Sequence, residues 1–220
     1  MSERGIDYLN GDRRRKFDIA ISSTALAAAA IPAGAIALKN AQDYGWRNIF
    51  YRQHRAWGGE SGFELTKFRT LPVNSDVGGY AIQDERSSRF ANFLRRTGGD
   101  EIPQLASVLL GDMTVFGIRV TLQDELDARQ EVDKPLFEDW HAAYQAIRPA
   151  LTSPGALWWH ASDLGEMERP EYLVEVMRRD LDYIENASLG EDLKLMASAP
   201  LYIGRAAMQF MQSSEAGSTQ

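Results

Sequence analysis

Residues Ile19 to Leu38 read IAISSTALAAAAIPAGAIAL, twenty positions without a single charge. As an α-helix this run is about 30 Å long, close to the hydrocarbon thickness of a bilayer, so lipid or the rest of the chain must cover it. Arg13, Arg14, Arg15 and Lys16 precede it, and Lys39, Arg47, Arg52 and Arg55 follow, with Asp43 the only acid among them. Basic flanks favour the cytoplasmic side of a membrane. A straight span would send one flank across, whereas a segment that enters, turns and returns keeps both on one side. Pro32 is the expected break: it lacks the N–H that would bond the Ala28 carbonyl, and Gly34 follows two residues later. Ser22, Ser23 and Thr24 offer hydroxyls to the freed backbone groups.

Two other readings stand beside the re-entrant one. Arg14-Arg15-Lys16-Phe17 is similar to a twin-arginine start and Ala33-Gly34-Ala35 to a small-residue cleavage site, which would make the segment an export signal on a soluble protein. Asp18 at the head of the apolar run fits that poorly. The other is a single spanning helix or an alanine-rich core helix.

Composition narrows the function classes. Basic residues number 24 and acidic residues 31, a net charge of −7, which argues against nucleic acid as a partner. A hydrophobic content of 44% with 25% charged residues suits a chain that buries a core. Without cysteine there is no disulfide, no thiolate nucleophile and no cysteine-held metal. His54, His141 and His160 show no metal-ligand spacing.

Beyond the apolar run, residues 40–62 interleave aromatic and basic side chains, which suits a headgroup interface or a surface loop containing a strand. Phe63 to Phe68 alternates as a half-buried strand, and 72–80 reads as a loop. Helical periodicity follows from Ser87 to the Gly98-Gly99 break, with a second helix from Asp100, then over 121–131, 136–147, 169–185 and from Glu191 to about Phe210. The fold class expected is α-rich α+β: a re-entrant N-terminal membrane helix plus a compact helical catalytic domain, with a small strand element at the membrane interface. Its parts are a tail at 1–12, the membrane helix at 13–39, the catalytic domain at 40–199, and a C-terminal amphipathic stretch with a disordered tail at 200–220.

The most informative stretch is Leu94-Arg95-Arg96-Thr97-Gly98-Gly99-Asp100-Glu101-Ile102-Pro103-Gln104-Leu105. A glycine pair delivers two carboxylates to a helix start, where Pro103 is tolerated. That location is expected to lower the Asp100 pKa and keep it ionised, as a nucleophile or cation ligand requires. Lys67, Arg69, Arg95, Arg96 and Arg119 are cations suited to a phosphate-rich substrate. Asp100 as a plain N-cap, with Glu101 in the first turn, explains the pair equally well.

The order of these pieces resembles the monotopic polyprenyl-phosphate phosphoglycosyl transferases, the bacterial sugar transferase family, over roughly residues 14 to 198. The resemblance runs from Lys16-Phe17-Asp18 through Arg52-Gln53-His54-Arg55, Lys67-Phe68-Arg69-Thr70, Leu94-Arg95 and the Asp100–Leu105 block. It continues through Val108-Leu109, Gly111-Asp112-Met113-Thr114 and Gly117-Ile118-Arg119 to Pro154-Gly155, Trp159, Asp180, Tyr183, Asn186, Ser188 and Asp192-Leu193-Lys194.

What the resemblance implies is a two-step displacement. Asp100 attacks the β-phosphate of a nucleotide diphosphate sugar, by family habit a UDP-sugar, and polyprenyl (undecaprenyl) phosphate then takes the phosphosugar from the aspartyl intermediate, initiating glycoconjugate or exopolysaccharide synthesis. Glu101, with Asp100, would bind Mg²⁺. Arg95 and Arg119 would bind phosphate, and Lys67 and Arg69 match a basic strand motif. The enzyme would sit on the cytoplasmic face of a bacterial inner membrane, with the bilayer and downstream glycosyltransferases as further partners. Three departures from the family pattern stand out. Ile118 and Val120 replace prolines beside Arg119, Trp158 replaces a glycine, and Ile31 precedes Pro32 where serine is common. They leave room for a catalytically silent member acting as a membrane-bound binding or scaffold subunit.

Overall fold

The computed structural model describes residues 3–57, 62–73, 87–161, 169–200 and 204. Its helices are α1 (Glu3–Asn10), α2 (Asp12–Tyr44), α3 (Arg89–Thr97), α4 (Gln104–Leu110), α5 (Gln123–Val132), α6 (Lys134–Ala146), α7 (Pro154–Ala161), α8 (Arg169–Asn186) and α9 (residues 189–200). Two small sheets complete an α-rich α+β fold. In one, β1 (Phe50–Arg55) and β2 (Phe63–Phe68) pair antiparallel with Tyr51 opposite Lys67. In the other, β3 (Thr114–Phe116) and β4 (Ala150–Thr152) pair in parallel. Gly58, Gly59, the loop beyond Val73 and most of residues 201–220 fall outside the described residues.

The core gathers Trp140 and Tyr144 of α6, Val108 of α4, Met113, Val115, Ile118, Met177 and Ile184 of α8, and Leu65 of β2. Residues 1–12, expected to be a tail, instead contain a packed helix. Leu9 of α1 joins this core at 2% exposure, and Gly5 lies so close to α8 that a Cβ there would meet the Ile184 carbonyl oxygen at 1.8 Å. Two turns of helix give too short an apolar stripe to stand out in the sequence.

α2 carries the apolar run in one 33-residue helix that continues through Pro32. The expected helix-break-helix is thus not seen: a proline removes one hydrogen bond and crowds the carbonyl four residues back, which a helix otherwise well supported absorbs without ending. Only 11% of the apolar window is buried, so the protein does not cover it. The ends, by contrast, are both docked. Near the start, Arg15 donates to the Val108 and Leu109 carbonyls at 2.6 Å each, and the Asp18 carboxylate accepts from Val115 N–H at 3.0 Å. Near the finish, Ile36 packs with Phe68 and Leu94, and Asn40 Nδ2 donates to the Ile49 and Arg69 carbonyls at 3.0 and 2.9 Å.

A buried polar cluster fastens α1 and α2 to the C-terminal helices. Arg14, with no exposed surface, pairs with Asp18 and Asp192, donates to the Phe116 carbonyl at 2.7 Å and to the Tyr183 hydroxyl at 3.2 Å. Tyr8 and Tyr183 each donate to Asp192 at 2.5 Å. Charges this deep survive only when every one is partnered.

Candidate active site

α3 starts at Ser88, whose Oγ accepts from Ala91 N–H at 3.1 Å, and stops at Gly98, which takes φ +70° and returns its N–H to the Leu94 carbonyl. That left-handed residue suits glycine and turns the chain straight into a 3-10 turn at Gly99–Glu101. α4 follows only at Gln104, so Asp100 caps no helix, contrary to one expectation: Gly98 caps the 3-10 turn and Pro103 precedes α4.

The turn sets Asp100, 5% exposed, beside Glu101. Lys67 Nζ from β2 bonds Glu101 Oε1 at 2.7 Å, and Arg119 Nη2, from the segment after β3, bonds the same oxygen. Four residues from three distant parts of the sequence, Lys67, Asp100, Glu101 and Arg119, therefore share one small volume. Burial would raise the Glu101 carboxyl, but Arg119 and Lys67 outweigh it and hold the group well below the usual carboxylate range. Asp100 goes the other way: burial, aided by the charge of Glu101, pushes it up to about 6 against the pull of Lys67 and Arg119. This corrects the expectation of a lowered pKa. A three-residue turn carries little helix dipole, and desolvation prevails. If ionised Asp100 is the reacting form, kcat/KM should fall as pH drops through about 6, because the free enzyme's essential base is being protonated. An activity profile flat from pH 5 to 8 would contradict this.

Arg119 is aimed by its neighbours. Ile118 and Val120, at 1% and 3% exposure, bury on either side of it, the Ile118 carbonyl accepts from Ala150 N–H at 3.1 Å, and Arg119 Nη1 donates to the Leu151 carbonyl. Hydrophobic burial and pairing with β4 thus fix a segment that lacks flanking prolines. Trp158 has its ring under the Arg179 guanidinium of α8 at 4.7 Å, so this bulky departure packs at the α7–α8 contact.

The remaining predicted cations are not brought to Glu101 by any described contact. Arg95 donates to Ser87 Oγ at 2.8 Å and Asn92 Oδ1 at 2.6 Å, while Arg69 donates to the Asn48 carbonyl at 3.0 Å and lies over the Tyr51 ring. Both stand near Tyr44 with Lys39; burial raises that phenol's pKa and the three cations oppose it. Asp43, paired with Lys39, raises it as well. Arg14, Asp18 and Asp192, buried and structural, were no part of the predicted site. Asp180, one of the motif residues, accepts from Trp140 Nε1 at 3.1 Å and Gly155 N–H at 3.0 Å, and burial pushes it up to about 6.

Among the described residues no group of three or more His, Asp or Glu side chains forms a metal cage. Mg²⁺ does not need one, since one or two carboxylates with substrate phosphates and water suffice. Asp100 and Glu101 fit that requirement: Lys67 and Arg119 share Oε1 of Glu101, which leaves Oε2 to take a cation.

The structure thus combines an apolar helix, docked at both ends and uncovered between them, with a Glu101 carboxylate held by two cations beside buried Asp100. Residues 10–204 match the family model described as bacterial sugar transferase, and the chain belongs to that family. It is 31% identical over 189 residues to the UDP-glucose:undecaprenyl-phosphate glucose-1-phosphate transferase of Caulobacter vibrioides, covering 84% of this chain and 67% of that protein. It is 30% identical over 151 residues to the enzyme of the same name from Escherichia coli K12, covering 67% of this chain and 31% of that one. The exopolysaccharide production protein ExoY of Sinorhizobium fredii is 26% identical over 206 residues, 86% of this chain and 84% of ExoY. The chain thus spans about two thirds of the Caulobacter relative and under a third of the Escherichia one.

Proposed function

We propose that this chain is a sugar-phosphate transferase that moves a phosphosugar from a nucleotide diphosphate sugar, a UDP-sugar by the names of its relatives, to polyprenyl phosphate. The observation that carries the proposal is the Lys67–Glu101–Arg119 clasp beside buried Asp100. Lys67 and Arg119 are fixed donors for phosphoryl oxygens once the donor and its Mg²⁺ bind, and the adjacent carboxylate is the nucleophile such a donor needs. Asp100 attacks the β-phosphorus, the nucleoside monophosphate leaves with the bridging oxygen, and the phosphosugar stays esterified to the carboxylate. The phosphate of the polyprenyl acceptor then attacks the same phosphorus and frees Asp100. Mg²⁺, held by Asp100 and Glu101, would supply charge neutralisation at the diphosphate. Lys67 and Arg119 position the phosphoryl oxygens, and the buried surroundings of Asp100 keep water from competing. Release of UMP from a panel of UDP-sugars, dependent on polyprenyl phosphate for multiple turnovers, tests the proposal; release from none of them would refute it and favour a silent scaffold.

α2 supports the membrane placement. Its two ends dock on one body, since Leu65 of β2 shares a core with Val108 and Val115, so a helix crossing to the far side does not fit. Ile31, Leu38, Trp46, Phe50, Phe90 and Phe93 are exposed around it, a fringe suited to lipid and headgroups. These features support a monotopic attachment with both ends of α2 on one face, and the basic flanks favour the cytoplasmic one. An export signal fits less well, because removal up to residue 35 would strip Leu9, Arg14, Asp18 and Ser22 from the interior. Asp7→Cys and Arg47→Cys, both at exposed sites in a chain without native thiols, should react with an impermeant maleimide from the same side of sealed vesicles. Labelling from opposite sides would refute the attachment mode.

A further inference from the structure

Gln104 is the one residue of the Asp100–Leu105 block whose burial the proposed chemistry leaves unexplained. It is 1% exposed, and neither Oε1 nor Nε2 has a hydrogen-bond partner among the described residues. Folded proteins rarely tolerate a buried amide with both ends unpaired, because each lost bond to water goes uncompensated. Its position suggests what it is kept for. Ile102 and Pro103 hold right-handed helical dihedrals, so the backbone coils continuously from the 3-10 turn into α4. The buried positions along that coil are Asp100, Gln104 and Val108, so all three face the interior. Side chains on such a coil lean toward its N-terminus, so the Gln104 amide leans toward Asp100. At 1% exposure the amide is walled from a soluble ligand, which leaves the protein's own site as its partner.

We propose, building on the transferase reading, that Gln104 is a positioning residue: its Nε2 donates to the Asp100 carboxylate oxygen that does not attack, fixing the other oxygen toward phosphorus during formation of the aspartyl phosphosugar. No bond to Gln104 forms or breaks in the reaction. In the unloaded protein its amide makes no hydrogen bond among the described residues, a cost retained for the loaded one.

The test compares Gln104→Met and Gln104→Glu with the wild type in single-turnover nucleotide release, alongside thermal unfolding. Gln104→Met keeps the shape and removes both unpaired polar atoms, so its thermal midpoint should equal or exceed the wild type's while the release rate falls about 10- to 100-fold, with donor KM within about twofold. Gln104→Glu replaces the donor with a second carboxylate and should be slower still. Wild-type rates in Gln104→Met, a rate loss matched by a lowered midpoint, failure of Gln104→Met to fold, or Gln104→Glu faster than Gln104→Met would each overturn the assignment. The wild-type arm separates the two failures. Turnover by the wild type with Gln104→Met unaffected refutes Gln104 alone, while no nucleotide released by the wild type refutes the transferase reading and the Gln104 role with it.

Discussion

Asp100→Asn is expected to lower nucleotide release by about 10⁴-fold or more, the scale on which enzymes lose a covalent nucleophile. Asparagine has nearly the same shape but offers no anionic oxygen to phosphorus. The same change should leave the fold as stable as before or more so. The Asp100 carboxyl is raised to about 6 in the folded protein, so near pH 7 the fold bears the cost of holding an ionised group that burial disfavours. A neutral amide relieves it. Lost activity with a retained or increased thermal midpoint would mark Asp100 as functional rather than structural. A variant that keeps more than about a tenth of the wild-type rate would show that another group attacks.

Arg14→Met should have the largest effect on stability. The guanidinium sits with no exposed surface between Asp18 and Asp192 and also serves Tyr183 and the Phe116 carbonyl. Methionine fills most of the volume but leaves two buried carboxylates without their cation, and breaking a buried pair from one side costs about 3–5 kcal/mol. Against a total stability of about 5–15 kcal/mol this is a large share, and it corresponds to a thermal midpoint lower by roughly 6–20 °C for a chain this size. Arg14→Lys should fall between the two, since an ammonium keeps the charge without the fork that spans several partners. A midpoint for Arg14→Met within about 2 °C of the wild type would show that the cluster contributes little.

The sequence made the local features legible and left the distant pairings hidden. The uncharged run is a composition signal and appears as α2. The Gly98 stop shows in the sequence because a left-handed helix end favours that residue. The clasp on Glu101 does not show, since its cations lie 34 and 18 residues away and any of several basic residues would have served. Arg14 reads as one of a run of four basic residues, a pattern that usually means solvent or headgroups, and only the position of Asp192 makes it a core residue. β3 is buried at all three positions, so it lacks the alternation that identifies a half-exposed strand. The Asp100 pKa departs from the helix-end expectation for a related reason: the local rule concerns helix ends, whereas burial is set by the whole fold.

The central claim is that the Asp100 carboxylate carries the phosphosugar between donor and acceptor. Intact-mass measurement of the purified chain with Mg²⁺ and candidate UDP-sugars, without polyprenyl phosphate, tests it most directly. An added mass equal to one phosphosugar is expected, absent from Asp100→Asn and removed when polyprenyl phosphate is supplied. An unchanged mass while the wild type releases UMP and forms the polyprenyl product would contradict it.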